Sequence, residues 1–198
     1  MRVFYLLLKR LFDMGCALLG LIVSSPLWLI VMLGIELSDP GPVFYIAHRT
    51  TKHNRVFNMF KFRSMREGKA NESVFRGEED RIFPFGRFIR ATKLDELPQL
   101  LNILIGDMSI VGPRPHMLLH TATYSQLISK YMIRQFVRPG VTGWAQVTGF
   151  RGETSELWQM EERVKRDVWY INHWSALQDV RIILMTVALI FKKDKMAY

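Results

Sequence analysis

The chain has 198 residues, of which 49% are hydrophobic, and it carries a formal net charge of +9. That length suits one domain, and the single cysteine, Cys16, excludes an internal disulfide framework. An excess of basic charge has three usual partners: nucleic acid, anionic lipid and phosphorylated substrate.

Residues 14–35 are a run of 22 without a charge, between Asp13 and Glu36. As one straight helix the run would be about 33 Å long, enough to cross a bilayer. Ser24, Ser25 and Pro26 interrupt its middle. Pro26 cannot donate to the Ile22 carbonyl and its ring crowds that turn, so a kink or break is predicted. The serines can help satisfy the freed backbone groups. Each half then reaches only about 16 Å, roughly half the hydrocarbon thickness, and a sharply bent helix can enter and leave by one face. A spanning helix with a mild kink is the simpler alternative. The length of the run and the lack of a small-residue cleavage site argue against a signal peptide. Arg2, Lys9 and Arg10 place the amino end on the cytoplasmic side. Basic stretches at 49–61, 63–69 and 76–93 would lie outside if the run spanned, which favours the bent course.

Ser38, Asp39, Pro40, Gly41 and Pro42 form a turn leading away from the membrane. Residues 43–46 and 57–62 read as short strands joined by a polar loop at 50–55. Lys61 and Arg63 alternate with Phe60, Phe62 and Met65, as a site or as an exposed hairpin face. The polar stretch 67–81 reads as a mobile loop.

Asp95 and Glu96 stand side by side before Leu97 and Pro98. Two N-caps compete, Thr92 and Asp95. The first puts Pro98 at the sixth helical position and the second at the third, where proline is better tolerated. A helix over 95–105, ended by Gly106, is therefore predicted, with Leu97, Leu100, Leu101, Leu104 and Ile105 as its apolar face. Asp95 would then sit at the positive end of the helix dipole, a setting that favours the carboxylate and also suits a phosphate. Glu96 is about 100° further round, so separate roles are open to the two carboxylates. An ordinary acidic N-cap explains the same pair without function.

Further on, Gly112 and Arg114 each precede a proline and are biased towards extended backbone. The Arg114 guanidinium is offered from a stiff segment, and its planar fork suits a diphosphate. A turn with a solvated arginine is the plain alternative. His116 and His120 are four apart and could share a helix face, but no further metal ligand is evident. Residues 134–149 read as turn-rich, around a strand at 145–148. Residues 156–172 carry Leu157, Met160, Val164, Val168 and Ile171 at helical spacing. Trp158, Trp169, Tyr170 and Trp174 suit either a membrane interface or a core. Residues 182–191 are too short to span. They read as a buried helix or one lying on the membrane surface, followed by Lys192, Lys193 and Lys195.

Five motifs, in order and at the expected spacing, carry a resemblance over nearly the whole chain. They are Lys61-Phe62-Arg63-Ser64-Met65, Asp95-Glu96-Leu97-Pro98-Gln99, Gly106-Asp107-Met108-Ser109, Gly112-Pro113-Arg114-Pro115 and Pro139-Gly140-Val141-Thr142-Gly143-Trp144. Together they resemble the bacterial sugar transferase family, the monotopic phosphoglycosyl transferases. His116 and His120 after the proline–arginine motif, Phe150-Arg151-Gly152-Glu153-Thr154 and the closing Met196-Ala197-Tyr198 are similar to the polyprenol-phosphate hexose-1-phosphate transferase branch. Its longer members carry extra membrane helices and another domain upstream, and only the catalytic module is matched here.

The resemblance implies an α+β fold: a small membrane-associated domain with an N-terminal re-entrant membrane helix (1–36), then a cytoplasmic catalytic domain (37–198) of short strands and several amphipathic surface helices. Ser25 and Pro26 match the helix-breaking pair. Asp95 matches the nucleophile that attacks the sugar-linked phosphorus of a UDP-sugar, and Glu96 the partner acid associated with Mg2+. Lys61, Arg63, Arg114, Arg138 and Arg151 are candidates for phosphate contacts. UMP leaves, and polyprenol phosphate then takes the phosphosugar. Glucose 1-phosphate is the usual cargo of the branch, with UDP-galactose and UDP-N-acetylhexosamines as alternatives. The expected location is the cytoplasmic face of a bacterial inner membrane, in one leaflet, feeding surface polysaccharide assembly. No nucleic-acid partner is implied, and a homo-oligomer is compatible.

Ala47, Thr51 and Thr148 depart from frequent family residues, and 50–55 lacks the usual Gly-Lys-Pro turn. These changes bear on sugar identity more than on the reaction. From a different class, a non-catalytic basic module on the membrane surface would share the charge but would not need the carboxylate pair.

Overall fold

The computed structural model describes residues 2–66, 79–152, 154 and 156–191. Expectations at 67–78, Glu153, Lys192, Lys193, Lys195 and the closing tripeptide lie outside the described residues. Helix α1 covers Arg2–Ser38, followed by strands β1 (Phe44–Thr50) and β2 (Val56–Phe62). Next come α2 (Pro84–Ala91), α3 (Gln99–Ile105), β3 (Ser109–Val111) and α4 (Leu118–Leu127). The chain continues through β4 (Gly140–Thr142), α5 (Trp144–Val147), α6 (Leu157–Asn172) and α7 (Ala176–Phe191). β1 pairs with β2, and β3 with β4, in two separate two-stranded sheets. The fold class is thus mixed helix and strand, with one long apolar helix at the amino end.

Two compact units emerge, one of Gly15–Ala47 with Asn58–Asn102 and one of Met1–Met14, His48–Phe57 and Ile103–Tyr198. In the first, Val31 and Ile35 of α1 bury against Phe62, Phe83 and Ile89, with Leu94 and Leu97 packed at the margin. Full burial of such side chains contributes about 1.5–3 kcal/mol each, which binds the second half of α1 into this core. Gly86 lets α2 approach the chain after β2, because a Cβ there would collide with the Ser64 carbonyl.

In the second unit β3 and β4 run parallel, with Ser109 opposite Gly140 and Val111 opposite Thr142. Val111, Val147, Tyr170 and Ile182 form its core, and Ile128, Tyr131, Met160 and Val164 a neighbouring cluster. The first turns of α1 dock here through polar bonds. Lys9 Nζ lies 2.7 Å from Asp179 Oδ2, while Asp13 accepts from Ser109 Oγ at 2.7 Å and from the Ile110 N–H at 3.1 Å.

Several sequence expectations change. α1 continues as helix through Pro26 with no interruption. The Ile22 carbonyl that proline leaves without a donor is taken by Ser25 Oγ at 2.8 Å, and Ser24 accepts from Trp28 Nε1 at 3.1 Å. The strand predicted at 145–148 is instead the helical turn α5, and the strand lies earlier, at β4. Thr148 Oγ closes that turn on the Trp144 carbonyl at 2.7 Å; a short apolar run does not separate strand from buried helix by pattern. His116 precedes α4, so His116 and His120 do not share a helix face. α2 went unpredicted, and Thr92 caps its end rather than opening the next helix. α6 forms as predicted, with a capping box between Glu156 and Gln159. α7 begins six residues earlier than read, buries Ile182 and leaves Leu177, Val180, Leu184 and Val187 exposed, so it is not apolar-buried all round.

Candidate active site

The carboxylate pair does not open a helix. Leu94–Glu96 is a 3-10 turn, Leu97 and Pro98 follow as a plain turn, and α3 starts only at Gln99. Pro98, lacking an N–H, thus stands before α3 instead of inside a helix over 95–105. The dipole argument for Asp95 falls with that helix. What shapes the turn is Lys93, a non-glycine residue in the left-handed region at φ 61°. α2 closes on Thr92, whose N–H reaches the Phe88 carbonyl at 3.0 Å, and Lys93 then reverses the chain. The Glu96 N–H returns to the Lys93 carbonyl and the Leu97 N–H to Leu94, each at 3.2 Å. Leu94 and Leu97 pack on the core and hold the turn from both sides.

Asp95 is consequently buried, at 7% exposure, with Glu96 half-buried beside it. Lys61 on β2 supplies the counter-charge. Its Nζ lies 3.0 Å from Glu96 Oε1 and 3.9 Å from Asp95 Oδ2. Asp95 Oδ1 is buried and has no hydrogen-bond partner among the described residues. Burial raises the Asp95 pKa above the ordinary aspartate value, and Glu96 adds to the rise; Lys61 is the foremost opposing influence, ahead of Lys93 and Arg90. A buried carboxylate oxygen with no partner is costly, and it is also chemically available. Two adjacent carboxylates suit Mg2+, which is usually held by one or two carboxylates together with substrate phosphate oxygens. No cluster of three or more metal-ligating side chains occurs among the described residues, so the donors fit a cation shared with a substrate and not an all-protein cage.

Arg63, two residues beyond Lys61, faces Asp39. It is buried at 4% exposure and clamps Asp39 just after α1, with Nη1 2.6 Å from Asp39 Oδ2 and Nη2 on the Asp39 carbonyl. Arg66 Nε adds a bond to Asp39 Oδ1 at 2.8 Å. These bonds, the one from Arg66 foremost, hold the Asp39 pKa below its usual value. Ser25 and Pro26 lie mid-helix in the same unit, apart from this chemistry.

Arg114, Arg138 and Arg151 belong to the other unit. Arg138 is exposed and donates from Nε to the Gly106 carbonyl at 2.7 Å, while Arg114 and Arg151 are half-buried. The Arg114 backbone is braced by Arg134, whose Nη2 reaches its carbonyl at 2.7 Å. Arg134 is itself buried, paired with Asp167 at 2.7 Å and bonded to His116 Nδ1 at 2.9 Å. Burial first, then Arg134 and Arg163, drive the His116 pKa well below its ordinary value, so this imidazole stays neutral. A cavity beside Arg114 is lined by Thr50, Pro113, His116, Arg134 and Gln135.

The sequence reading missed Asp39, Asn102, Arg134 and Asp167. Asn102 had a local signal, a lone amide inside the apolar run of α3. Asp39, Arg134 and Asp167 had none, since their partners lie 24 and 33 residues away.

The model of a family described as bacterial sugar transferase matches residues 4–193. A UDP-glucose:undecaprenyl-phosphate glucose-1-phosphate transferase of Xanthomonas campestris is 45% identical over 198 residues, covering 98% of this chain and 41% of its own length. A protein of the same name from Escherichia coli is 45% identical over 91% of the chain and 39% of its own length. The chain therefore spans about two fifths of these relatives. An exopolysaccharide production protein of Rhizobium leguminosarum is 40% identical over 92% of the chain and 94% of its own length.

Proposed function

The chain belongs to the bacterial sugar transferase family, and on that premise we propose that it moves a sugar 1-phosphate from a UDP-sugar to polyprenol phosphate through a covalent intermediate on Asp95. One observation carries this reading: a buried aspartate with an unpartnered oxygen, set against Glu96 and Lys61.

A carboxylate oxygen of Asp95 attacks the sugar-linked phosphorus. The new O–P bond forms as the bridging P–O bond breaks, and UMP departs with that electron pair. An oxygen of polyprenol phosphate then attacks the same phosphorus and returns Asp95 as carboxylate. Splitting the transfer gives two displacements at one phosphorus in place of one. Lys61 opposes the rise that burial imposes on the Asp95 pKa, and it offsets repulsion from the incoming diphosphate. Mg2+ held through Glu96 and substrate oxygens would screen further negative charge. Arg114, Arg138 and Arg151 are offered to phosphate groups. Arg63 is assigned instead to the Asp39 clamp.

Glucose 1-phosphate is the first candidate because the Xanthomonas and Escherichia relatives carry UDP-glucose in their names. The acceptor tail is a lipid, and α1 is long and apolar enough to hold the enzyme in a bilayer. The reading places it on the cytoplasmic face of the inner membrane, where UDP-sugars are made.

The test is UMP release by purified protein with Mg2+ and polyprenol phosphate across a panel of UDP-sugars, with intact mass spectrometry of protein mixed with UDP-glucose alone. UMP and a hexose-phosphate adduct on Asp95 are expected. No UMP from any sugar would remove the reading in favour of a non-catalytic basic surface module.

A further inference from the structure

Asn102 is fully buried on α3, at 0% exposure, and both ends of its amide are used. Nδ2 donates to the Asn58 carbonyl at 2.7 Å, and Oδ1 accepts from the Phe60 N–H at 2.9 Å. Antiparallel strands turn alternate backbone groups to each edge. The Arg63 N–H faces the Val43 carbonyl at 2.8 Å, so odd-numbered groups turn towards β1. The Asn58 carbonyl and Phe60 N–H therefore lie on the edge of β2 that β1 leaves open. The Asn102 amide stands where the peptide of a third strand would stand.

This bond pair selects a register. It reads one carbonyl and one N–H two residues apart, and those groups exist on this edge only at even positions. A slip by one residue would turn every side chain of β2 to the opposite face. Lys61 is the next residue after Phe60, and its ammonium meets Glu96 at 3.0 Å and Asp95 at 3.9 Å. Asp95 and Glu96 are joined by the turn at Leu97 and Pro98 to α3, the helix that carries Asn102. The chain thus closes a ring from the carboxylates through α3, Asn102 and β2 to Lys61 and back.

We propose that Asn102 is a positioning residue for Lys61: by fastening β2 to α3 through both ends of one amide, it fixes the ammonium against the two carboxylates. This rests on the reading of Asp95 as nucleophile. Asn102 itself touches no reacting atom. An apolar residue of similar size would fill the space and leave the Asn58 and Phe60 backbone groups to other partners, so β2 and Lys61 would no longer be held.

A double-mutant cycle decides it, read as the single-turnover rate of adduct formation from UDP-glucose. Asn102→Leu is expected to slow the step by roughly tenfold or more while changing KM by less than about threefold, and to slow it by less than about twofold in a Lys61→Met background. Equal losses in both backgrounds would overturn the proposal and leave Asn102 a packing residue. Should the leucine variant not fold, Asn102→Asp, which keeps the acceptor and loses the donor, carries the same comparison. A second readout does not need turnover. After reductive 13C-methylation, the Lys61 signal, identified by its loss in Lys61→Met, should move towards the exposed lysines in the folded Asn102 variant. A wild-type protein that releases no UMP would sink the proposed function, and the Lys61 signal would then decide this inference by itself: an unmoved signal rejects it.

Discussion

On the proposed reading, a stability cost and a chemical use coincide at Asp95. Burial raises its pKa, so the folded state gives up the Asp95 proton at a higher pH than the unfolded chain does. Between the ordinary aspartate value and the raised one, the folded state binds more protons, and stability falls as pH rises through that window. Above that window the ionised side chain is a net liability to folding. Asp95→Asn should abolish the adduct and turnover yet raise Tm, by about 2 °C or more, and flatten the decline of Tm with pH. A lower Tm in the asparagine variant would mean that the carboxylate stabilises the fold. The same electrostatics sets a kinetic limb. Adduct formation should increase with pH as Asp95 ionises, and Lys61→Met should move that limb to higher pH because the foremost influence lowering the Asp95 pKa is gone. A limb that stays in place would remove Lys61 from the control of Asp95. Arg114 offers a different contrast. If its fork holds phosphate, Arg114→Lys should lose about 1.5–3 kcal/mol of transition-state stabilisation, or roughly ten- to a hundredfold in kcat/KM, with Tm little changed. If it only braces its turn, Tm should fall and the kinetics of the folded fraction should stay near normal.

Among the elements, the 3-10 turn at Leu94–Glu96 shows what local pattern reveals and what it hides. The carboxylate pair and its apolar neighbours were legible, because both follow from side-chain type and spacing. The helix expected over 95–105 was not what formed. Leu94 and Leu97 pack into a core shared with Phe62 and Phe83, and a left-handed Lys93 is tolerated to let them do so. Such overrides come from contacts distant in sequence, which periodicity cannot register. β2 and α6 are legible to within a residue because each is a local pattern with clear boundaries, and β1 runs four residues past its expected end, whereas the Arg63–Asp39 and Asn102–Phe60 bonds join residues 24 and 42 apart. Lys93 also supplies a test of the turn. A left-handed conformation costs a non-glycine residue about 1–2 kcal/mol, and glycine pays part of that back in unfolded-chain entropy. Lys93→Gly should therefore raise stability by about 0.5–1 kcal/mol and preserve adduct formation, while Lys93→Val should lower both. Thermal melts of the two variants settle the point, and a destabilised glycine variant would show that the turn is not strained.

For the whole molecule, the decisive matter is how a long apolar helix coexists with polar anchors at both of its ends. Leu18, Leu19, Ile22, Val23, Leu29, Ile30 and Leu33 are all more than half exposed, which in water would be an aggregation hazard and in lipid is a fitting surface. Yet Lys9 is bonded to Asp179 and Asp13 to Ser109, while Asp39, just past the other end, is bonded to Arg63 and Arg66. If α1 spanned, the chain after residue 39 would have to cross back before residue 109 to meet Asp13. Among the described residues, however, no second helix is long and apolar enough to cross. A course that enters and leaves by one face, as the resemblance implies, would need no second crossing. It requires α1 to bend or tilt near Pro26 without losing helical structure, and the Ser25 hydroxyl on the Ile22 carbonyl is suited to that. The expectation is that both ends of α1 are cytoplasmic. Single cysteines placed near Lys9 and at Ser38, with Cys16 replaced by serine, should be labelled by a membrane-impermeant thiol reagent only after the inner membrane is opened. Labelling at Ser38 from the periplasm of intact cells would establish a spanning helix, and the polar anchors would then need a different explanation.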